Sequence, residues 1–422
     1  MSHYLKKSAS TFIIRIIGTV IAFLFNVMLA RLLGAEGTGI YVLSGTIISI
    51  STIVSRLGLD NTILRFVSPE FESSNWAKIK AIHNKVIFIT LSLSSLVTIT
   101  IFISAEFVAH IIFKDINLEI PLKLMSLSII PLSLLNLYSE FIKAYKKPET
   151  ATIIQGFSIP CLGLILLYIL ASKYGLIGAA LASFLTSLII MLISIIIWNK
   201  LSNLNDNTKT ETSVSTAQLL NSCLPLLMVA ILNVVIDFSD TVMIASLIGS
   251  AQVGLYSVAL NITRISSILL SSINSVVAPQ FSSLWARGEK EDLNILAKSI
   301  TKKMGIAALF FLLIIIIIPD QILALFGAEF LFAKNTMFIL ALGQFIALAT
   351  GPVAYLLMMT GNEKFHRNNV FLCAILNIGL NFMLIPKFGI EGAAIATTVA
   401  LTIKNILAVY FVRTKLGIKV LI

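Results

Sequence analysis

A chain of 422 residues that is 57% hydrophobic and only 12% charged carries about half the charge of a usual soluble domain, which excludes a water-soluble fold. The net charge of +11 would suit nucleic acid, but its distribution, described below, points to topology instead, and no nucleic-acid partner is expected. Cys161, Cys223 and Cys373 all lie inside apolar runs, and His3, His83, His110 and His366 lack ligand spacing, so neither a disulfide framework nor a metal centre is expected.

Uncharged stretches such as Val86–Ala105, Thr150–Ser172, Tyr174–Asn199 and Asn368–Pro386 are near the ~20 residues that cross a bilayer core. In lipid every backbone amide needs an internal partner, so these runs are helices or strands of a closed barrel. They lack two-residue alternation, which excludes the barrel. Arg15 interrupts the first apolar stretch and no small-residue cleavage site follows it, so that stretch reads as a retained helix rather than a signal peptide.

In chain order the pattern predicts helices over Ser10–Leu33, Thr38–Leu57, Ile82–Phe107, Leu118–Tyr145, Thr150–Ala171 and Gly175–Trp198. A polar stretch rich in Asn, Ser and Thr, residues 199–216, then reads as a linker. Six more helices follow: Ala217–Ile248, Val253–Val277, Leu296–Ile318, Phe332–Thr360, Phe365–Ile385 and Ile390–Phe411. Trp285–Met304, where basic and apolar residues mix, reads as an interfacial helix, with Trp76–Lys85 as its shorter counterpart.

The halves are copies of one unit. KYGLIGAALA at Lys173–Ala182 returns as KFGIEGAAIA at Lys387–Ala396, 214 residues later. ARLLGAEGTGIYVLSGTI at Ala30–Ile47 returns as ASLIGSAQVGLYSVALNI at Ala245–Ile262, a shift of 215. The expected fold is therefore an all-α polytopic membrane protein: twelve transmembrane helices in two parallel six-helix repeats, residues 1–198 and 217–422, joined by the linker. Small residues four apart, Gly175/Ala179/Ser183 and Gly389/Ala393/Thr397, predict close helix contact within each repeat. Lys and Arg number six in the odd-to-even loops and 21 on the side of the termini, which places both termini in the cytoplasm.

These motifs, with GLDNTILRF (Gly58–Phe66), DTVMIASLIGSAQVGLYSVA (Asp240–Ala259) and LNIGLNFMLIPKFGIEGAAIATTVA (Leu376–Ala400), resemble the polysaccharide-transport, or O-antigen repeat-unit flippase, family. That family belongs to the multidrug/oligosaccharidyl-lipid/polysaccharide exporter superfamily. The resemblance covers the whole chain. It implies two six-helix bundles around a central cavity in a bacterial inner membrane. It also implies transfer of an undecaprenyl-diphosphate-linked oligosaccharide from the cytoplasmic to the outer leaflet, with a polysaccharide polymerase and chain-length proteins as partners. In relatives the cavity is lined by the first two helices of each repeat.

A charge at mid-bilayer costs at least ~2.5–3.5 kcal/mol, so it faces a cavity and serves a purpose. Arg264 lies ~16 Å down its helix from Val253, and Lys404 ~21 Å down the last helix. Arg15 and Arg56 fall at ~27–28 Å, beside the inner interface. Guanidinium offers a planar fork of donors to phosphate oxygens, so Arg264, Arg56, Arg15 and Lys404 are the expected diphosphate ligands. For Arg15 and Arg56 the alternative is snorkelling to lipid headgroups. Asp237 and Asp240 share one helical face and are expected either to pair with Arg264 or to bind a driving proton or sodium ion. Glu140 is expected to pair near Lys143, Arg65 to lie in a loop beyond the second helix, and Pro225 to serve as a hinge.

A membrane-embedded polymerase or glycosyltransferase would need an exposed catalytic set, and none is visible, so no enzyme is expected. A multidrug–cation antiporter keeps the fold, but cationic cargo favours interior carboxylates, and here four basic residues face two clear acids. A lipid II flippase is a third reading; those relatives carry fourteen helices, against twelve here.

Overall fold

The computed structural model describes residues 2–73, 75–202 and 216–420. They are helical throughout, with no strand among them. In order the α-helices are α1 (Ser2–Arg56), α2 (Leu59–Glu72), α3 (Trp76–Phe107), α4 (Glu119–Ser126), α5 (Ile129–Ala144), α6 (Pro148–Thr152) and α7 (Ile159–Leu201), then α8 (Thr216–Ile248), α9 (Ser250–Ala286), α10 (Lys290–Ile317), α11 (Pro319–Ala324), α12 (Lys334–Ala349), α13 (Val353–Met359) and α14 (Glu363–Phe411). Among the described residues seven helices are long and apolar enough to cross a membrane, or eight counting the bent pair around residues 127–128. The protein is a multi-pass membrane protein.

Three of the long helices are two arms meeting at a glycine. α1 breaks at Gly34 (φ 66°, ψ −173°), α7 at Gly175 (φ 54°, ψ −132°) and α14 at Gly389 (φ 58°, ψ −137°). Only glycine adopts such angles without a Cβ clash. The repeat fixes the positions: Gly175 and Gly389 are equivalent, and Gly34 is equivalent to Gly249 (φ 98°), where α8 turns into α9. Dividing the chain at these residues recovers the predicted pairs of arms. Three residues beyond the kink, the arms touch. A Cβ on Gly178 would lie 2.1 Å from the carbonyl oxygen of Leu170, and one on Gly392 2.4 Å from that of Leu384. Ala179, Ala180 and Ala182 after the first glycine, and Ala393, Ala394 and Ala396 after the second, are buried, so the small-residue motif lets one backbone lie on another.

Prolines account for most other departures. The predicted Leu118–Tyr145 helix is broken into α4 and α5 with a 43° bend just before Pro131, which lacks an N–H and whose ring crowds the carbonyl four residues back. The predicted Thr150–Ala171 helix carries a π-helical turn, Ile153–Ser158, before Pro160. Gly351 and Pro352 separate α12 from α13. The backbone is helical at residue 225, within α8, and α8 turns into α9 at Gly249.

Two expectations are corrected by amphipathic patterning. Arg65 is not in a loop but on α2, which is anchored by buried Leu59, Ile63 and Val67 at four-residue spacing and leaves Arg65 exposed. Nor do the expected interfacial helices stand apart. Trp76 begins α3 itself, and Lys290–Met304 is the first half of α10, with Leu293, Ala297, Thr301 and Met304 buried along one side. The predicted linker, 199–216, lies mostly in 203–215, outside the described residues.

The chain divides into two compact units, Met1–Val234 and Val235–Ile422, so the boundary falls within α8, where buried Cys223 touches Thr62 of the first unit. The first unit has an aromatic core in which Phe71, Trp76, Tyr145, Phe141 and Trp198 meet at 4.9–6.3 Å, with the His83 ring stacked 5.9 Å from that of Trp198. Each such pair contributes about 0.5–1.5 kcal/mol beyond its burial. The second unit buries Val277, Phe281, Leu293, Leu356 and Val412 together with the tail residues Leu416, Ile418 and Val420.

Candidate functional site

Arg264 stands fifteen residues after the Gly249 break, and Lys404 fifteen residues after the Gly389 break, so both lie ~22 Å from the bends of their helices. Asp237, twelve residues before Gly249, is ~18 Å from the same bend. The second unit brings these groups together. Arg264 Nη2 is 3.6 Å from Asp237 Oδ1, with the two side chains 43% and 56% exposed, and Lys404 lies within electrostatic reach of Asp237. Two cations thus share one carboxylate, and the trio has a net positive charge. An exposed ion pair this far down apolar helices does not face acyl chains, because hydrocarbon would charge several kcal/mol for it. It marks a hydrated face.

Asp240 is one turn from Asp237 but serves a different set of partners. Its side chain is buried and accepts from Tyr256 Oη at 2.6 Å, Asn381 Nδ2 at 2.6 Å and Thr397 Oγ1 at 2.5 Å. Asn377 ties the set together: it donates to Thr397 at 3.2 Å, and its oxygen accepts from Asn381 at 3.2 Å and from Ser239 at 2.9 Å. Among the described residues the hydrogen-bond partners of this buried carboxylate are neutral, so its charge is balanced by donors rather than by a paired cation. Asn381 Oδ1 is buried without a partner, a spare acceptor beside the acid.

In the first unit the predicted cations are apart from this assembly. Arg56 is mostly enclosed; it pairs with Asp60 at 2.7 Å and donates from Nε to Thr52 O at 3.3 Å. Arg15 is exposed on α1. Glu140 pairs with Lys143. Of the six predicted site residues, Arg264, Asp237 and Lys404 form one group, Asp240 heads a second, and Arg56 and Arg15 stand singly.

The residues that sequence reasoning missed are Tyr256, Asn377, Asn381 and Thr397. They come from 16 to 157 positions away from Asp240 and no local motif links them. One signal was available. Asn369, Asn377 and Asn381 recur at helical spacing along one face of an otherwise apolar run, where buried amides are costly unless they have partners.

Comparison with known proteins gives concordant results. The family model described as polysaccharide biosynthesis protein matches residues 4–285, and the MatE model matches 225–383. The probable low-salt glycan biosynthesis flippase Agl15 of Haloferax volcanii is 23% identical over 417 residues, covering 98% of this chain and 84% of its own length. The probable flippase AglR of the same organism is 29% identical over 177 residues, 40% of this chain and 36% of its own. Among solved structures, an inward-facing multidrug resistance MATE family transporter of the MOP superfamily superposes with a TM-score of 0.77 at 14% identity, covering 96% of this chain and 98% of that one. The lipid II flippase MurJ in an inward closed conformation gives 0.68 at 16% identity, covering 97% and 88%. At those identities the structural likeness speaks for the fold. Since the first model spans more than half of the sequence, the chain belongs to the polysaccharide biosynthesis protein family.

Proposed function

We propose that this protein is a flippase that carries a glycan on a lipid diphosphate across the membrane by alternating access, and that it performs no covalent chemistry. The observation that carries the reading is the exposed Arg264–Asp237 ion pair deep in apolar helices, with the more enclosed Lys404 within electrostatic reach and the group net positive. A diphosphate is a better partner for a guanidinium fork than one shared carboxylate 3.6 Å away, and it would displace Asp237 from Arg264. A relative described as a probable low-salt glycan biosynthesis flippase supports the same class of cargo, and a second is described as a probable flippase. The finer proposal is an undecaprenyl-diphosphate oligosaccharide of the O-antigen type. In it both termini lie in the cytoplasm of a bacterial inner membrane, a polymerase and chain-length proteins take the product, and Arg56 and Arg15 meet the headgroup as it enters.

Asp240 is assigned the coupling role, binding sodium or a proton in its ring of hydroxyl and amide groups. A cationic-drug antiporter would instead expose a free acid to cargo, whereas Asp240 is enclosed and the exposed Asp237 is paired with Arg264.

The test is transfer of fluorescent undecaprenyl-diphosphate oligosaccharide between leaflets of proteoliposomes, with and without sodium or pH gradients. Wild type is expected to transfer the lipid. Arg264→Ala is expected to lose about 10–100-fold in rate, the value of one charge-assisted contact. No transfer by wild type under any gradient contradicts the function, and equal rates in both proteins remove Arg264 from it.

A further inference from the structure

A row of polar side chains runs along one face of α14 before its kink: His366, Asn369, Cys373, Asn377 and Asn381, spaced by three or four residues. That spacing keeps the row on one side over ~22 Å. Asn369, Cys373, Asn377 and Asn381 are all buried. The upper end is the Asp240 pocket itself. Lower down, Cys373 Sγ is 3.6 Å from Asn369 Oδ1, and Asn369 Nδ2 donates to the Lys404 carbonyl at 2.7 Å. Two buried atoms on the row have no partner, Asn381 Oδ1 near the top and His366 Nδ1 at the bottom. The fold does not require the upper part of this row: at the repeat-equivalent positions of the first unit its three residues are Ile159, Gly163 and Leu167, whereas the lower two, Thr152 and Gln155, stay polar. A membrane helix that could have been apolar has instead placed a polar side chain at every turn, three of them amides, and polar and ionisable groups inside membrane helices mark ion pathways.

Lys404 stands beside the middle of the row, in electrostatic contact with Cys373 and His366 on one side and Asp237 on the other. We propose that the row is a hydrated path for a small monovalent cation, sodium or hydronium, between Asp240 and the end of α14 where Lys364, Arg367, Arg413 and Lys415 gather, with Lys404 as its charge gate. The proposal rests on the reading of Asp240 as an ion site. An ammonium beside the path repels a passing cation. A lipid diphosphate held by Arg264 and Lys404 cancels that charge, so loading of the glycan lipid opens the path to ion exchange. Coupling then follows from electrostatics at one residue shared by both sites.

Cys373, halfway along, is a built-in reporter. Wild-type protein in proteoliposomes is treated with methanethiosulfonate reagents carrying either an ethylammonium or an ethylsulfonate group, and labelling of each cysteine is followed by mass spectrometry. Buried Cys223, in the first unit, is the control. The cationic reagent is expected to label Cys373 slowly in wild type and about tenfold faster in Lys404→Gln, the effect of removing one nearby charge. Undecaprenyl diphosphate should accelerate it similarly in wild type. Lys404→Arg should label like wild type, Cys223 should stay unlabelled throughout, and the sulfonate should not gain. Cys373 inert in every condition yet reactive in detergent denaturant overturns the path, and equal acceleration of both reagents overturns the gate. The two readings fail separately: gradient-independent flipping unchanged by Asp240→Asn removes the ion site, whereas gradient-dependent flipping with an inert Cys373 removes only the route.

Discussion

The same position in the two repeats is built in opposite chemistries. In the second unit Asp240, Tyr256, Asn377, Asn381 and Thr397 form a hydrogen-bonded pocket. Their equivalents in the first unit, 214 or 215 residues earlier, are Phe25, Tyr41, Gly163, Leu167 and Ser183. Tyr41 keeps its hydroxyl partner, Ser183, but the acid has become a phenyl ring. Phe25 lies over Tyr41 with ring centroids 6.2 Å apart, next to Gly163 and packed with Leu29 and Leu167. Arg264 and Lys404 likewise correspond to Ser49 and Ile190. The backbone device is duplicated and the charge is not. One unit packs apolar groups where the other places an acid with its donors, so the glycine kinks and close contacts belong to the fold, and the proposed function assigns the acid and cations to binding.

That contrast can be broken from either side, and the largest effect is expected from exchanging the chemistry. Phe25→Asp places a carboxylate among Gly163, Leu167 and Leu29, where only neutral hydroxyls, those of Tyr41, Ser183 and Thr186, are near among the described residues. Asp240→Leu strands Tyr256, Asn381 and Thr397 around an apolar side chain. Each is expected to cost about 3–5 kcal/mol and to lower the midpoint of thermal unfolding in detergent sharply. Asp240→Asn keeps most of the hydrogen bonds, so its loss should be in ion dependence rather than in folding.

Next come the contacts common to both units. Gly178→Ala and Gly392→Ala drive a methyl into a backbone carbonyl in equivalent places, so each is expected to cost about 1–3 kcal/mol, and by similar amounts. Gly175→Ala should cost less, about 1–2 kcal/mol, because nothing lies within 4 Å of its new methyl and only the positive φ opposes it. A Gly178→Ala no more disruptive than Gly175→Ala in the same unfolding assay would contradict the close-contact account. The smallest difference is expected at the hydroxyls. Ser183→Ala removes one neutral hydrogen bond, ~1 kcal/mol, while Thr397→Ala removes a bond to an acid, ~1.5–3 kcal/mol.

Much of this was legible before the coordinates. Apolar runs gave the helices, and the repeated motifs marked where backbones touch. The touching glycines, however, are Gly178 and Gly392, whereas the expected Gly175 and Gly389 form the kinks, because a positive φ and a touching backbone each demand glycine. Local breaks were less legible: the patterning that puts Ile63 and Val67 of α2 in the core is a short amphipathic signal lost beside long apolar runs. The two aspartates were found but not their separation. One turn apart on α8, Asp237 turns to Arg264 and Asp240 to Asn381, and that choice is made by residues on α9 and α14 far along the chain. Aligning the repeats against each other, Phe25 to Asp240 and Leu167 to Asn381, would have exposed the polar pocket.

The account turns on a phosphate replacing Asp237 at Arg264, and binding of undecaprenyl diphosphate to detergent-solubilised Asp237→Asn tests it most directly. Removing the competing carboxylate is expected to tighten binding about tenfold at low salt, while Arg264→Ala weakens it by at least as much. Weaker or unchanged binding in a well-folded Asp237→Asn protein would contradict the claim that this cluster is built to receive a diphosphate.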